Sequence, residues 1–172
     1  MLTGKELVEQ GIIIGTIPSE NIQQHGVDLN LIKVEKLCEF SRGIIPLTGK
    51  TKLVEYEEIA LVKVKDSDLG EIQAWVLEPG AYNITLQQGC KIPADKMLLI
   101  RQRSSLLRNG TLLHSSVFDA GFETKRMGTV MYVTHPITIQ FYARVGQIYA
   151  HDSNVVENLY NGQFQNDVQR TK

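Results

Sequence analysis

The chain has 172 residues, 42% of them hydrophobic and 22% charged, with a formal net charge of -1. That is enough for one domain with a substantial core and little more. The near-neutral balance argues against a protein that coats nucleic acid, which carries a basic surplus; an anionic small substrate stays open, because a few local arginines bind phosphate whatever the total charge. Cys38 and Cys90 are too few and too far apart for a disulfide framework or a metal knuckle, and read as thiols in a reducing compartment. With no signal-like start and no apolar run of membrane-spanning length, the expectation is a soluble cytoplasmic protein that engages neither membrane nor nucleic acid.

In chain order, Thr3-Gly4-Lys5-Glu6 has the Thr-x-x-Glu spacing of a helix capping box, Leu7, Val8 and Ile12 follow as a short apolar face, and Gly11 is expected to end the helix. Pro18-Ser19-Glu20-Asn21 predicts a short turn. The period then changes. Residues 27–31, 54–64, 72–77, 82–86, 97–100, 111–118, 129–133, 137–141 and 145–150 are short, rich in β-branched or aromatic residues and punctuated by Gly, Pro and Asp, and predict strands. One helix interrupts them at 103–110, closed by Gly110. Many short strands with turn signals predict an all-β sandwich, jelly roll or closed barrel. No repeat or long linker divides residues 1–156, while the polar tail 157–172, with Asn161-Gly162 in it, is expected to be mobile unless something binds it.

Several segments carry chemistry, each with a plain structural alternative. Arg103-Ser104-Ser105 opens a helix, where unpaired N–H groups, hydroxyls and the guanidiniums of Arg103 and Arg108 can hold phosphate; a capped helix with solvated arginines is the ordinary alternative. Asp119, in Phe118-Asp119-Ala120-Gly121-Phe122, caps a turn or acts as a general base toward water. Asp28 lies in an apolar strand and needs an arginine, backbone donors or a metal-bound water as partner. His25 has no His, Cys or Glu neighbours at ligand spacing, so zinc is not expected. Gly146-Gln147 lies in a late strand. Tyr160-Asn161-Gly162-Gln163-Phe164-Gln165 supplies aromatic and amide groups that can close over a flat base.

Taken together and in order, these segments resemble the dCTP deaminase/dUTP diphosphatase superfamily from end to end, in the archaeal diphosphatase type with a deaminase-like N-terminus. Residues 1–29, with Val27-Asp28-Leu29, look like the N-terminus and first motif. Leu77-Glu78-Pro79-Gly80 matches the turn before the central strands, and Arg103-Ser104-Ser105-Leu106 the second motif. Asp119-Ala120-Gly121-Phe122 is similar to the third motif, Gly146-Gln147 to the fourth and residues 160–165 to the fifth. The resemblance implies a distorted jelly-roll barrel, a homotrimer with active sites at subunit interfaces, and a tail that closes over the site.

Within the superfamily, deaminases carry a glutamate on the strand after the third motif, ten positions beyond its Asp. Here that position is Thr129, or Val133 if Gly128 takes the place of the family's turn glycine, and residues 127–149 contain no Asp or Glu. Deamination is therefore expected to be absent, with Glu123, before the strand, as the nearby acid. The resemblance implies dUTP hydrolysis to dUMP and pyrophosphate. Asp119 would be the base and Mg²⁺ would be held by the triphosphate and its waters. Asp28 would stand behind one of those waters, or form a buried salt bridge instead. Arg103, Ser104, Ser105, Gln147 and Arg108 would meet phosphate, with Arg108 open to an interface role. Phe122, where diphosphatases commonly carry Tyr, would pack under the deoxyribose. Uracil would be read by backbone groups around Val117 and Phe118, with Tyr160, Gln163, Phe164 and Gln165 in the closing tail. The alternatives are a dCTP deaminase, perhaps bifunctional, and a non-catalytic nucleotide-binding trimer.

Overall fold

A computed structural model describes residues 1–114 and 116–166. The strands in chain order are β1 (Ile13–Ile14), β2 (Ile22–Gln23), β3 (Gly26–Leu37), β4 (Tyr56–Glu58), β5 (Val62–Asp66), β6 (Gly70–Leu77), β7 (Gly80–Leu86), β8 (Gly89–Lys91), β9 (Lys96–Gln102), β10 (Thr111–His114), β11 (Glu123–Thr124), β12 (Gly128–Val133), β13 (Ile137–Gln140) and β14 (Arg144–Asp152). Two short helices, α1 (Gly4–Glu9) and α2 (Ser104–Arg108), and one 3-10 turn at Ser19–Asn21 complete the elements. The capping box is formed as its spacing predicts: the Glu6 N–H donates to Thr3 Oγ1 at 3.2 Å and the Thr3 N–H to Glu6 Oε2 at 2.7 Å.

The main sheet runs β10-β12-β7-β3-β14-β9 with antiparallel neighbours, and its two ends, β9 and β10, lie against each other. The result is a mostly β fold with a nearly closed barrel-like sheet. Alternation drives it: Val34 on β3, Ile84 and Leu86 on β7, Met131 on β12 and Ile148 on β14 are wholly buried, and each such side chain contributes about 1.5–3 kcal/mol by leaving water. Small sheets β1-β8-β11 and β13-β6-β5 cover the flanks.

The structure adds short strands β1, β2, β8 and β11 that the sequence reading did not include, and it redraws other segments. The run 54–64 is two strands, not one: Ile59 leaves the ladder, its N–H donating to Val34 O at 2.9 Å while its carbonyl accepts from Trp75 Nε1 at 3.0 Å. The strand expected over 111–118 stops at His114, and Phe118 returns only as an isolated bridge to Leu98. The tail, expected to be mobile unless something binds it, lies through residue 166 on the chain's own hairpin turn: the Tyr160 N–H donates to Ala120 O at 2.8 Å and the Asn166 N–H to Glu123 O at 2.9 Å. The rest of that tail, 167–172, lies outside the described residues.

Candidate active site

The site residues named from sequence fall into two groups. The first sits where β3, β14 and β9 run side by side. Register places Gln147 opposite both Asp28 and Arg101, and Arg103 follows at the end of β9 as the residue capping α2. A bulge between Arg144 and Gly146 turns Arg144 toward the same point. The Asp28 carboxylate, 1% exposed, thus meets Arg103 Nε at 3.4 Å, Arg144 Nη1 at 3.3 Å and Gln147 Nε2 at 3.4 Å. Burial pushes the Asp28 carboxyl above the usual aspartate value, and the charges of Arg103 and Arg144 only partly oppose it. Ser104, Ser105 and Arg108 stand exposed on α2 beside this cluster.

The second group surrounds a cavity of about 320 Å³, within the range of small-ligand sites. One wall is the hairpin and tail: Val117, Phe118, Asp119, Phe122, Tyr160 and Phe164. Phe122 lies between two rings, 5.7 Å from Phe118 and edge-on to Tyr160 at 5.4 Å between centroids, which gives the wall an apolar face suited to a flat ring or a sugar. Asp119 is exposed on the turn that closes with the Phe122 N–H donating to Asp119 O at 3.1 Å. Gly121 makes that turn possible. Its φ is +86°, and a Cβ there would stand 2.6 Å from Leu159 Cβ, so the tail seats directly on it. Gln165 completes the clasp, its amide donating to Gly121 O at 2.8 Å and accepting from the Glu123 N–H at 3.2 Å. Gln163 faces elsewhere, pairing both amide atoms with the backbone of Thr51 at 2.8 and 3.0 Å.

Part of the lining went unseen in the sequence. Lys33 and Glu35 on β3, Asn83 on β7, and Thr124, Arg126, Met127 and Gly128 line the same cavity. Glu35 lies opposite Asn83 in the register, and Asn83 opposite Val130 of β12. The only hint was that Lys33 and Glu35 alternate with apolar residues on a strand; what they would face depends on a strand 48 positions away. Among the described residues the cavity wall therefore carries two carboxylates, Asp119 and Glu35. None of Asp28, Arg103, Ser104, Ser105, Arg108 or Gln147 lines it. Among the described residues no group of three or more His, Cys, Asp or Glu gathers as a metal cage, and no helix is long and apolar enough to cross a membrane.

Comparison with known proteins gives the family. Residues 3–153 match the family described as dCTP deaminase-like. The chain belongs to that family. Among its relatives, the deoxyuridine 5'-triphosphate nucleotidohydrolase of Methanocaldococcus jannaschii is 36% identical over 147 residues, 85% of this chain and 88% of that protein. A probable enzyme of the same name from Halobacterium salinarum is 32% identical over 151 residues, 88% of this chain and 87% of the other. In fold, the family member resembles the crystal structure of 2'-deoxycytidine 5'-triphosphate deaminase from Agrobacterium tumefaciens, with a TM-score of 0.62 at 18% identity over 87% of this chain; the match spans 46% of that longer chain.

Proposed function

We propose that this protein is a dUTP diphosphatase, hydrolysing dUTP to dUMP and pyrophosphate. The observation that carries the reading is Asp119 on the rim of a nucleotide-sized cavity whose adjoining strand, β12, holds no acid from Gly128 to Val133. In this reading Asp119 orients a water and takes its proton. The water oxygen bonds to the α-phosphorus, the bridging P–O bond to the β-phosphate breaks, and pyrophosphate leaves. Catalysis is then mainly positioning and charge neutralisation. Phe122, between Phe118 and Tyr160, packs on the deoxyribose and excludes a 2'-hydroxyl, while Tyr160, Phe164 and Gln165 close the tail over the substrate. Gln163 would have to exchange Thr51 for the substrate if it takes part.

The donor set fits Mg²⁺ arriving with the substrate. The ion takes oxygen ligands and parts reluctantly with water, and the described residues offer no cage of their own. When bound, Mg²⁺ neutralises charge on the triphosphate oxygens. Asp28 points its oxygens at Arg103, Arg144 and Gln147, which supports a role in aiming those guanidiniums more than a place behind a metal-bound water.

A single chain leaves the phosphate-binding group, with Arg103, Ser104, Ser105, Arg108 and Gln147, outside the Asp119 cavity. A homotrimer with sites at its interfaces would bring one copy's arginines to another's cavity. The exposed apolar segment with Phe40 and Leu47 fully exposed and Ile45 at 88% supports such association. Glu35 in the cavity is the one observation favouring a second reading, deamination of dCTP. Incubation with dUTP and with dCTP in parallel, with Mg²⁺, tests both: pyrophosphate and dUMP from dUTP alone is the expected result, and any dUTP or dUMP formed from dCTP overturns the single-activity reading.

A further inference from the structure

Arg144 opens β14 and joins the Asp28 cluster, although the sequence reading passes over it. Its Nη1 donates to Asp28 Oδ2 at 3.3 Å and to Glu20 O at 2.8 Å. A guanidinium has five N–H groups, and among the described residues both of these bonds use Nη1. That leaves the Nε and Nη2 edge as a planar fork of the kind that matches an oxyanion. The side chain is 33% exposed, while the Asp28 side chain beneath it is 2% exposed.

The turn ahead of Arg144 sets its direction. Tyr142, between β13 and β14, has φ +67°, a left-handed conformation that a tyrosine keeps only where its surroundings hold it. Residues 30 and 31 of β3 do so. The Tyr142 N–H donates to Leu31 O at 3.0 Å, the Leu31 N–H donates to Ala143 O at 2.9 Å, and Asn30 Nδ2 donates to Tyr142 O at 2.8 Å. The Asn30 side chain, 3% exposed, is itself held: its Oδ1 accepts from Asn21 Nδ2 and, at 2.8 Å, from Gln88 Nε2. Asn21 and Gln88 are buried as well. Asn21 closes the same 3-10 turn whose Glu20 carbonyl accepts from Arg144. One buried amide thus links the turn that precedes Arg144 to the turn that receives its guanidinium, and Asn30 stands opposite Arg144 in the register.

We propose that Asn30 is a positioning residue for the hydrolysis: through the left-handed turn at Tyr142 it aims Arg144 at the phosphates beyond the α-phosphate. The proposal rests on the reading of the protein as a dUTP diphosphatase. In that reading the Asp119 cavity takes the base, the sugar and the α-phosphorus. Asp28, Arg103, Arg144 and Gln147 line no part of that cavity, so their cluster is left to meet the pyrophosphate portion.

The test is kcat and KM for dUTP together with inhibition by pyrophosphate and by dUMP, in the full-length protein with Mg²⁺, each variant checked by thermal melting. Asn30→Asp keeps the acceptor that Asn21 and Gln88 use and sets an oxygen against Tyr142 O. It is expected to raise KM for dUTP and the inhibition constant of pyrophosphate by roughly tenfold, the scale of one charge-assisted hydrogen bond, and to leave inhibition by dUMP alone. A merely structural role would lower the melting temperature and keep the ratio of pyrophosphate to dUMP inhibition. That ratio unchanged in folded Asn30→Asp overturns the proposal. Should the variant fail to fold, Tyr142→Gly and Tyr142→Val decide. Glycine takes φ +67° freely and β-branched valine resists it, so pyrophosphate is expected to inhibit the glycine variant roughly tenfold more tightly. Equal inhibition of the two overturns the proposal as well. Wild-type protein that releases no pyrophosphate from dUTP defeats the diphosphatase reading itself, and this proposal with it. That result is distinct from an active wild type whose variants bind pyrophosphate as it does.

Discussion

Around Asp28 the chain packs three adjacent strands so that a carboxylate with 1% of its surface exposed sits against two guanidiniums and an amide. Around Asp119 it does the reverse, lifting an exposed carboxylate on a turn flanked by the rings of Phe118 and Phe122. The residue type is the same and the surroundings decide what it can do. Asp28 has its oxygens facing cations and suits aiming them; Asp119 borders open volume and can meet water. The difference shows why an acid in a motif acquires a role only when its partners are known.

The sharpest way to break that contrast is Asp119→Asn. Removing a positioned base costs roughly 10²–10⁴-fold in rate, so dUTP turnover measured by pyrophosphate release is expected to fall in that range while the melting temperature holds, because the side chain is exposed. Unaltered turnover would falsify the assignment of Asp119 as base. Gly121→Val comes next. It places a β-branched residue at φ +86° with Leu159 Cβ 2.6 Å from the new Cβ. The strain is about 1–3 kcal/mol, and the tail is expected to lift from the hairpin, read as faster proteolysis near residue 160 and a raised KM.

Asp28 gives a smaller, pH-dependent effect. Its folded carboxyl is raised by burial above the ordinary aspartate value of 3.8. The stability linked to its protonated form is therefore complete below that value and lost as pH rises through the raised one. Relative to Asp28→Asn, which does not titrate, the wild type should gain stability as pH falls through the raised carboxyl toward 3.8. Denaturant melts of both proteins across the acid range check the sign, and a gap that closes in the opposite direction contradicts the burial argument. The smallest expected effect concerns the thiols. Burial pushes Cys90 up to about 12, so a maleimide at neutral pH should label the half-buried Cys38 in the native protein and leave Cys90 unmodified until the chain unfolds.

Much of this was legible from residues alone. Thr3 and Glu6 announced the first helix because capping is local. The alternation in β7, β12 and β14 announced a β fold because a strand's two faces repeat every second residue. Five short motifs in order carried the family, and with it Asp119. What the chain could not disclose by itself depends on register and crossing. Glu35 joins the cavity lining from β3, where β7 brings Asn83 opposite it. Asp28 finds Arg144 only because a bulge turns β14. The tail, polar and unpatterned, is held because Gln165 pairs with the backbone on either side of Phe122. Local signals report the preferences of a few neighbouring residues, whereas a cavity wall is made of groups that become neighbours only after the sheet has closed.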